Sequence, residues 1–285
     1  LKKTLIPFIL LIGLLAIGRY YYHLEAEKKI QQIVHNLSSW VIVSYQDLDV
    51  NIQGEINLQN ITVYNLRRQP LLQAKELQIK DYKIGNNQPI KLDVHINNMQ
   101  FKIKPINQTG KFGFYELGYR QITGNFRIAY DYNDFANRLL FNFGVELEDI
   151  ADMDLMLDLG NFDVEQWRYY LQDPDSIVFV KGEFNYHEDQ LVKKLFAYIQ
   201  KKKDLSEKEL KQLVFSRIDE IEQNKDGMTK LGLGFTEQWK SFLLNPQNLS
   251  IQAHVEDGFS LRQMRLIPDK ALLFDKLKLK FLINQ

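Results

Sequence analysis

The sequence predicts a β-rich α+β chain: an N-terminal transmembrane helix, then an antiparallel sheet interrupted by a helical insert. Three observations predict this class. An apolar run, Leu5 to Gly18, follows a short basic start. Beyond residue 40 most segments alternate apolar and polar residues with period two, the pattern of half-buried antiparallel strands. Between residues 185 and 245 the spacing of apolar residues becomes helical.

Composition sets the limits. The chain has 285 residues, 45% of them hydrophobic and 25% charged, which allows a sizeable core. Its 36 basic and 36 acidic residues cancel, whereas a duplex-binding protein needs a basic excess to neutralise phosphates, so no nucleic-acid partner is expected. There is no cysteine, which removes disulfides, thiolate zinc sites and a cysteine nucleophile. Fourteen Tyr and 18 Phe against 7 Pro suit extended strands packed on one face.

Lys2-Lys3-Thr4 and the apolar run after it form an export signal. The run is shorter than the roughly 20 residues a spanning helix needs. Tyr20, Tyr21 and Tyr22 can extend it, because tyrosine sits well at headgroup level. Two readings compete, a signal peptide cleaved near Ala16-Ile17-Gly18 and a retained anchor. The bulky Arg19-Tyr20-Tyr21-Tyr22 and the continuing helix favour the anchor, over residues 1–23, with Leu5, Phe8, Leu11 and Leu14 in the bilayer. The lysine-led signal is bacterial in form. It predicts a single-pass inner-membrane protein with the rest of the chain in the periplasm.

Residues 24–39 read as a connecting amphipathic helix, with Ile30, Ile33, Val34 and Leu37 on one stripe. Residues 40–184 read as the antiparallel β region. Val41, Val43 and Tyr45 open it, and Gln53-Gly54 marks a turn before Ile56 and Leu58. Leu77 and Ile79, Leu92 to Ile96, and Phe101 and Ile103 continue it, and residues 105–118 form a glycine-containing loop. Leu139 to Leu147 and Met153 to Leu159 alternate almost without fault. Residues 185–245 form the helical insert. Asn185-Tyr186-His187-Glu188 reads as a capping box for its first helix, Ser206 to Glu209 caps a second, and Thr236 a third that stops at Asn245-Pro246. Residues 246–285 return to strands that complete the sheet, and the last, Leu277 to Ile283, is expected to pair deep within it.

No chemistry-bearing motif emerges. The five histidines are scattered, without the convergence a zinc site needs. Glu146, Glu148, Asp149, Asp152, Asp154 and Asp158 form the densest acidic run; a calcium site needs a compact loop, so the wet face of two strands is the better account. Glu222 to Gly227 resembles a calcium loop but has Leu233 where the bidentate glutamate belongs. GxSxG, Walker A and GxGxxG patterns are absent. The chain is therefore expected to be non-enzymatic, without catalytic residues, metal or cofactor.

The anchor, the short helix, Val43-Ser44-Tyr45 and the segment Gly54-Glu55-Ile56-Asn57-Leu58-Gln59-Asn60-Ile61-Thr62-Val63 together resemble the opening of AsmA-like and YdgA-like bacterial envelope proteins. Phe242 to Ile251, leading to Leu277-Lys278-Leu279, resembles their closing strands. The resemblance covers these two stretches and implies a periplasmic sheet curved into a groove with an apolar inner face. It also implies a role in lipid handling or outer-membrane homeostasis, and it supplies no catalytic residues.

Two functions follow as expectations. In the first, Phe141, Phe143, Leu155 and Leu157 line an apolar groove that shelters a lipid acyl chain, unless helices of the insert fill that space as core. In the second, the protein is an anchored accessory subunit of a secretion or envelope-assembly complex, and the helical insert docks a protein partner.

Overall fold

The computed structural model describes residues 23–284, apart from 33, 36–37, 52, 86–87, 105–112, 164–165, 171–172, 224–228 and 269. The anchor expected over residues 1–23, including Leu5, Phe8, Leu11, Leu14, Tyr20, Tyr21 and Tyr22, lies outside them up to Tyr22. Among the described residues no helix is long and apolar enough to cross a membrane.

Period-two patterning builds one 11-stranded sheet, antiparallel throughout. β1 (Ile42–Ser44) and β2 (Asp47–Val50) both pair with β3 (Ile56–Tyr64). Then follow β4 (Pro70–Gly85), β5 (Gln88–Lys102), β6 (Gln121–Asn133), β7 (Arg138–Leu147), β8 (Ala151–Gly160), β9 (Val178–Glu188), β10 (Asn248–Ser260) and β11 (Lys280–Ile283). Each pairs with its sequence neighbour, so the sheet is a meander and needs no crossover. Asparagine fixes several of its turns. Asn51 Oδ1 accepts from the backbone N–H groups of Gln53 and Glu55, each at 3.0 Å, and Gly54 takes φ 86°. Such Asx turns are local alternatives to the ladder and set hairpin register.

Helix α1, within residues 23–35, buries Ala26 and Ile30, one turn apart, against Leu48, Val50, Leu58, Ile61, Ala74 and Met99. A second cluster joins Tyr119, Ile122, Ile150 and Ala151 to Leu191. The β8–β9 connection holds the short helix α2 (Trp167–Tyr170). The insert comprises α3 (Leu191–Lys203), α4 (Glu207–Gln223) and α5 (Thr229–Leu244), followed after β10 by α6 (Leu261–Leu266) and α7 (Lys270–Lys276). The cap expected at Ser206 forms: its Oγ accepts from Glu209 N at 3.3 Å, and Glu209 Oε2 accepts from Ser206 N at 2.8 Å.

Three expectations are corrected. Asn185 to Glu188 is strand, because Asn185 pairs with Asp154 on one side and Ser250 on the other. The insert therefore starts at Leu191, with Gln190 at the cap and no side-chain cap bond. Thr236 lies inside α5, which begins at Thr229. The last strand is confined to Lys280–Ile283 and occupies the sheet edge, since α7 takes up the residues before it.

Candidate functional site

Alternation places one set of side chains from every strand on the same face, and the register aligns them into rows. One row runs Val50, Ile56, Ile79, Val94, Ile128, Phe143, Leu155, Phe184, Ile251 and Phe281, each a direct cross-strand partner of the next. A second runs Leu48, Leu58, Leu77, Ile96, Phe126, Val145, Met153, Tyr186, Leu249 and Ile283 by the same pairings. A third links Tyr82, Leu92, Tyr130, Phe141, Leu157, Gly182 and Ala253. No charged side chain interrupts these rows.

The four residues expected to line a groove come together here. Phe141 pairs with Leu157 and Phe143 with Leu155. All four are half-buried, and none belongs to either buried cluster. Phe143 meets Phe126 edge-on, with ring centroids 6.3 Å apart. Val50, at one end of the first row, is buried beneath the α1 cluster, whereas Ile128 in its middle is 39% exposed. The helices of the insert pack on one another, α5 also on β11 and α7, and the buried Phe242 of α5 meets Tyr186 of the second row edge-on, with ring centroids 5.9 Å apart.

The opposite face is polar. Arg138 donates to both oxygens of Asp158, at 2.6 and 2.5 Å. Lys91 lies 2.8 Å from Asp81, and Arg127 3.3 Å from Asp93. Glu76 accepts from Asn57 at 2.6 Å and Asn97 at 2.9 Å. The bonds from Asn97, Gln78 and Asn57 hold its carboxyl below the ordinary value. Glu146 and Asp154 of the acidic run stand exposed on this face, which is the wet-face arrangement.

Near the C-terminal edge the polar face holds a pocket of about 270 Å³ lined by Asp152, Asp154, Asn185, His187, Asn248 and Ser250 among others. His187 Nδ1 lies 2.6 Å from Asn248 Oδ1. Burial, then the charge of Glu146, pushes the Asp152 carboxyl above its ordinary value. Among the described residues no group of three His, Cys, Asp or Glu could hold a metal ion. The sequence showed the histidine and the aspartates separately, and only the Asp152–His187 pairing brings them together.

The fold and this face define a β-rich α+β protein built on one long antiparallel sheet with an apolar side. A family model described as "Uncharacterized protein" matches residues 144–284. The match begins at Gly144, within β7, and takes in β8 to β11 with the helical insert. No curated protein matches the chain.

Proposed function

We propose that this is a non-enzymatic, membrane-anchored protein of the bacterial envelope that shelters lipid acyl chains on the apolar face of its sheet. The observation that supports the reading is the unbroken apolar row from Val50 to Phe281, half-buried or exposed across its centre. Contiguous apolar surface of this kind marks a site of interaction with a partner or ligand. Aliphatic and aromatic side chains with no interrupting charge suit a hydrocarbon chain. From Val94 to Phe184 the row crosses four strand spacings, about 19 Å. One leaflet of a bilayer core, about 15 Å, is the length of an extended acyl chain, so the row is long enough for one.

In this reading the sheet curves around that face, residues 1–23 hold the chain in the inner membrane, and the sheet works in the periplasm. The role, lipid handling or envelope homeostasis, is that of the AsmA-like proteins the sequence resembles. Native mass spectrometry with lipid extraction on the purified chain tests it. Stoichiometric phospholipid is expected, and Ile128→Glu is expected to lower its occupancy at least about tenfold while the fold persists, since a buried charge facing hydrocarbon is costly. A lipid-free chain would overturn the reading and favour the accessory-subunit role instead.

A further inference from the structure

The corner where the chain enters β1 carries a second surface of definite chemistry. The β3–β4 turn, residues 65–69, is held by Asn65, whose Oδ1 accepts from Arg67 N at 3.0 Å and Gln69 N at 2.9 Å. Arg68 takes the left-handed φ of 58°. The turn is therefore fixed, and it presents Leu66, 60% exposed, between Asn65 and two exposed arginines. Trp40 ends the turn over residues 38–40, two residues before β1, and Leu66 lies two residues after Tyr64, the partner of Ile42, so both stand at this end of the sheet. Trp40 is 77% exposed, and Ile42 and Leu71 are exposed beside it.

These apolar side chains lie outside the core. Val43 and Leu72 pack against the α1 cluster, so Ile42, next to Val43 in β1, points to the opposite, otherwise charged side, and Leu71 is exposed at the register shift between β3 and β4. The local charge is one-sided. Residues 36–46 and 56–75 contain no Asp or Glu, while Arg67, Arg68 and Lys75 lie within them. Neither Arg67 nor Arg68 has an ion-pair partner among the described residues.

We propose that this corner seats on a bilayer surface carrying anionic headgroups. Trp40 and Leu66 lie at the boundary between headgroups and acyl chains, where an indole with an apolar body and one polar N–H is favoured. Arg67 and Arg68 bind lipid phosphates, whose geometry the guanidinium matches in bidentate fashion. The one-sided charge selects an anionic surface, and the exposed apolar apex selects one it can enter. The proposal stands on this corner's chemistry and does not require an acyl chain on the apolar face.

The test uses the full chain held in nanodiscs of phosphatidylcholine and mixed with vesicles of phosphatidylcholine, with or without phosphatidylglycerol. The wild type is expected to float with the phosphatidylglycerol vesicles, less so as salt screens the contact. Arg67→Gln with Arg68→Gln is expected to lower that capture about thirtyfold, since each basic side chain near an anionic surface contributes a factor of about five. Leu66→Ser, at the exposed apex, is expected to lower the capture that survives high salt and serves if the arginine variant does not fold. Capture that ignores phosphatidylglycerol, absence of capture, or folded variants that bind as the wild type does would overturn the proposal. Bound lipid measured on the same samples reports separately on the apolar face.

Discussion

Glu188 is the one buried charged residue found among the described residues, 6% exposed at the end of β9. Its partners explain its place. The Tyr186 hydroxyl donates to one carboxylate oxygen, and Val192 N donates to the other at 2.7 Å, so Glu188 satisfies an orphan N–H in the first turn of α3. Glu188→Ala should therefore destabilise the fold by about 1–3 kcal/mol, read by urea unfolding, because the buried donors lose their acceptor. Nearby, Tyr119 donates to the Asp149 carbonyl at 2.7 Å. Burial, then the charges of Glu188, Asp149 and Asp189, pushes its phenol up to about 12. Between the ordinary tyrosine value of about 10 and that value, the unfolded chain releases a proton that the native chain keeps. Stability should thus be full below about pH 10 and fall as pH rises towards 12. In unfolding curves against pH, Tyr119→Phe should make the fall shallower; an unchanged slope would contradict this assignment.

At the scale of elements, legibility followed the two-sided patterning of the strands. β7 and β8 read plainly because one side of each carries apolar residues and the other mostly polar ones, so Leu139 to Leu147 and Met153 to Leu159 alternate almost without fault. The helix starts read less well. Asn185 to Glu188 has the residues of a capping box, yet strands pair with both sides of Asn185 and hold it extended. Ser260-Leu261-Arg262-Gln263, with the same spacing, does cap α6: Ser260 Oγ accepts from Gln263 N at 3.1 Å, and Ser260 N donates to Gln263 Oε1 at 2.9 Å. That signal marks α6, the first of the two short helices between β10 and β11. Tertiary pairing, not local propensity, separates the two cases. The β6–β7 pairing also depends on a glycine. A Cβ on Gly124 would sit 2.1 Å from the Glu146 carbonyl oxygen, so the strands approach too closely there for any side chain. Gly124→Ala should cost at least about 1–3 kcal/mol in thermal or urea unfolding, as overpacking does; wild-type stability would show that the strands separate easily.

Across the whole molecule, the sequence assigned Phe141, Phe143, Leu155 and Leu157 to a shared face through periodicity alone. It did not reveal that their face continues through nine pairings from Val50 to Phe281, because those rows depend on registers between strands far apart in the chain. Bulges at Ile96/Met99 and Asp158/Leu159 would defeat any register counted from spacing. The same two-sidedness supplies the most direct test of the central claim, that the apolar face shelters acyl chains. Ile128 lies on the apolar row, and its neighbour Arg127 is exposed on the polar face. A photo-crosslinking amino acid placed at each position of the full chain in cells, followed by mass spectrometry of the adducts, compares the two faces one residue apart. Lipid adducts at position 128 and none at 127 are the predicted result. Equal lipid labelling at both positions, or only protein adducts at 128, would contradict it.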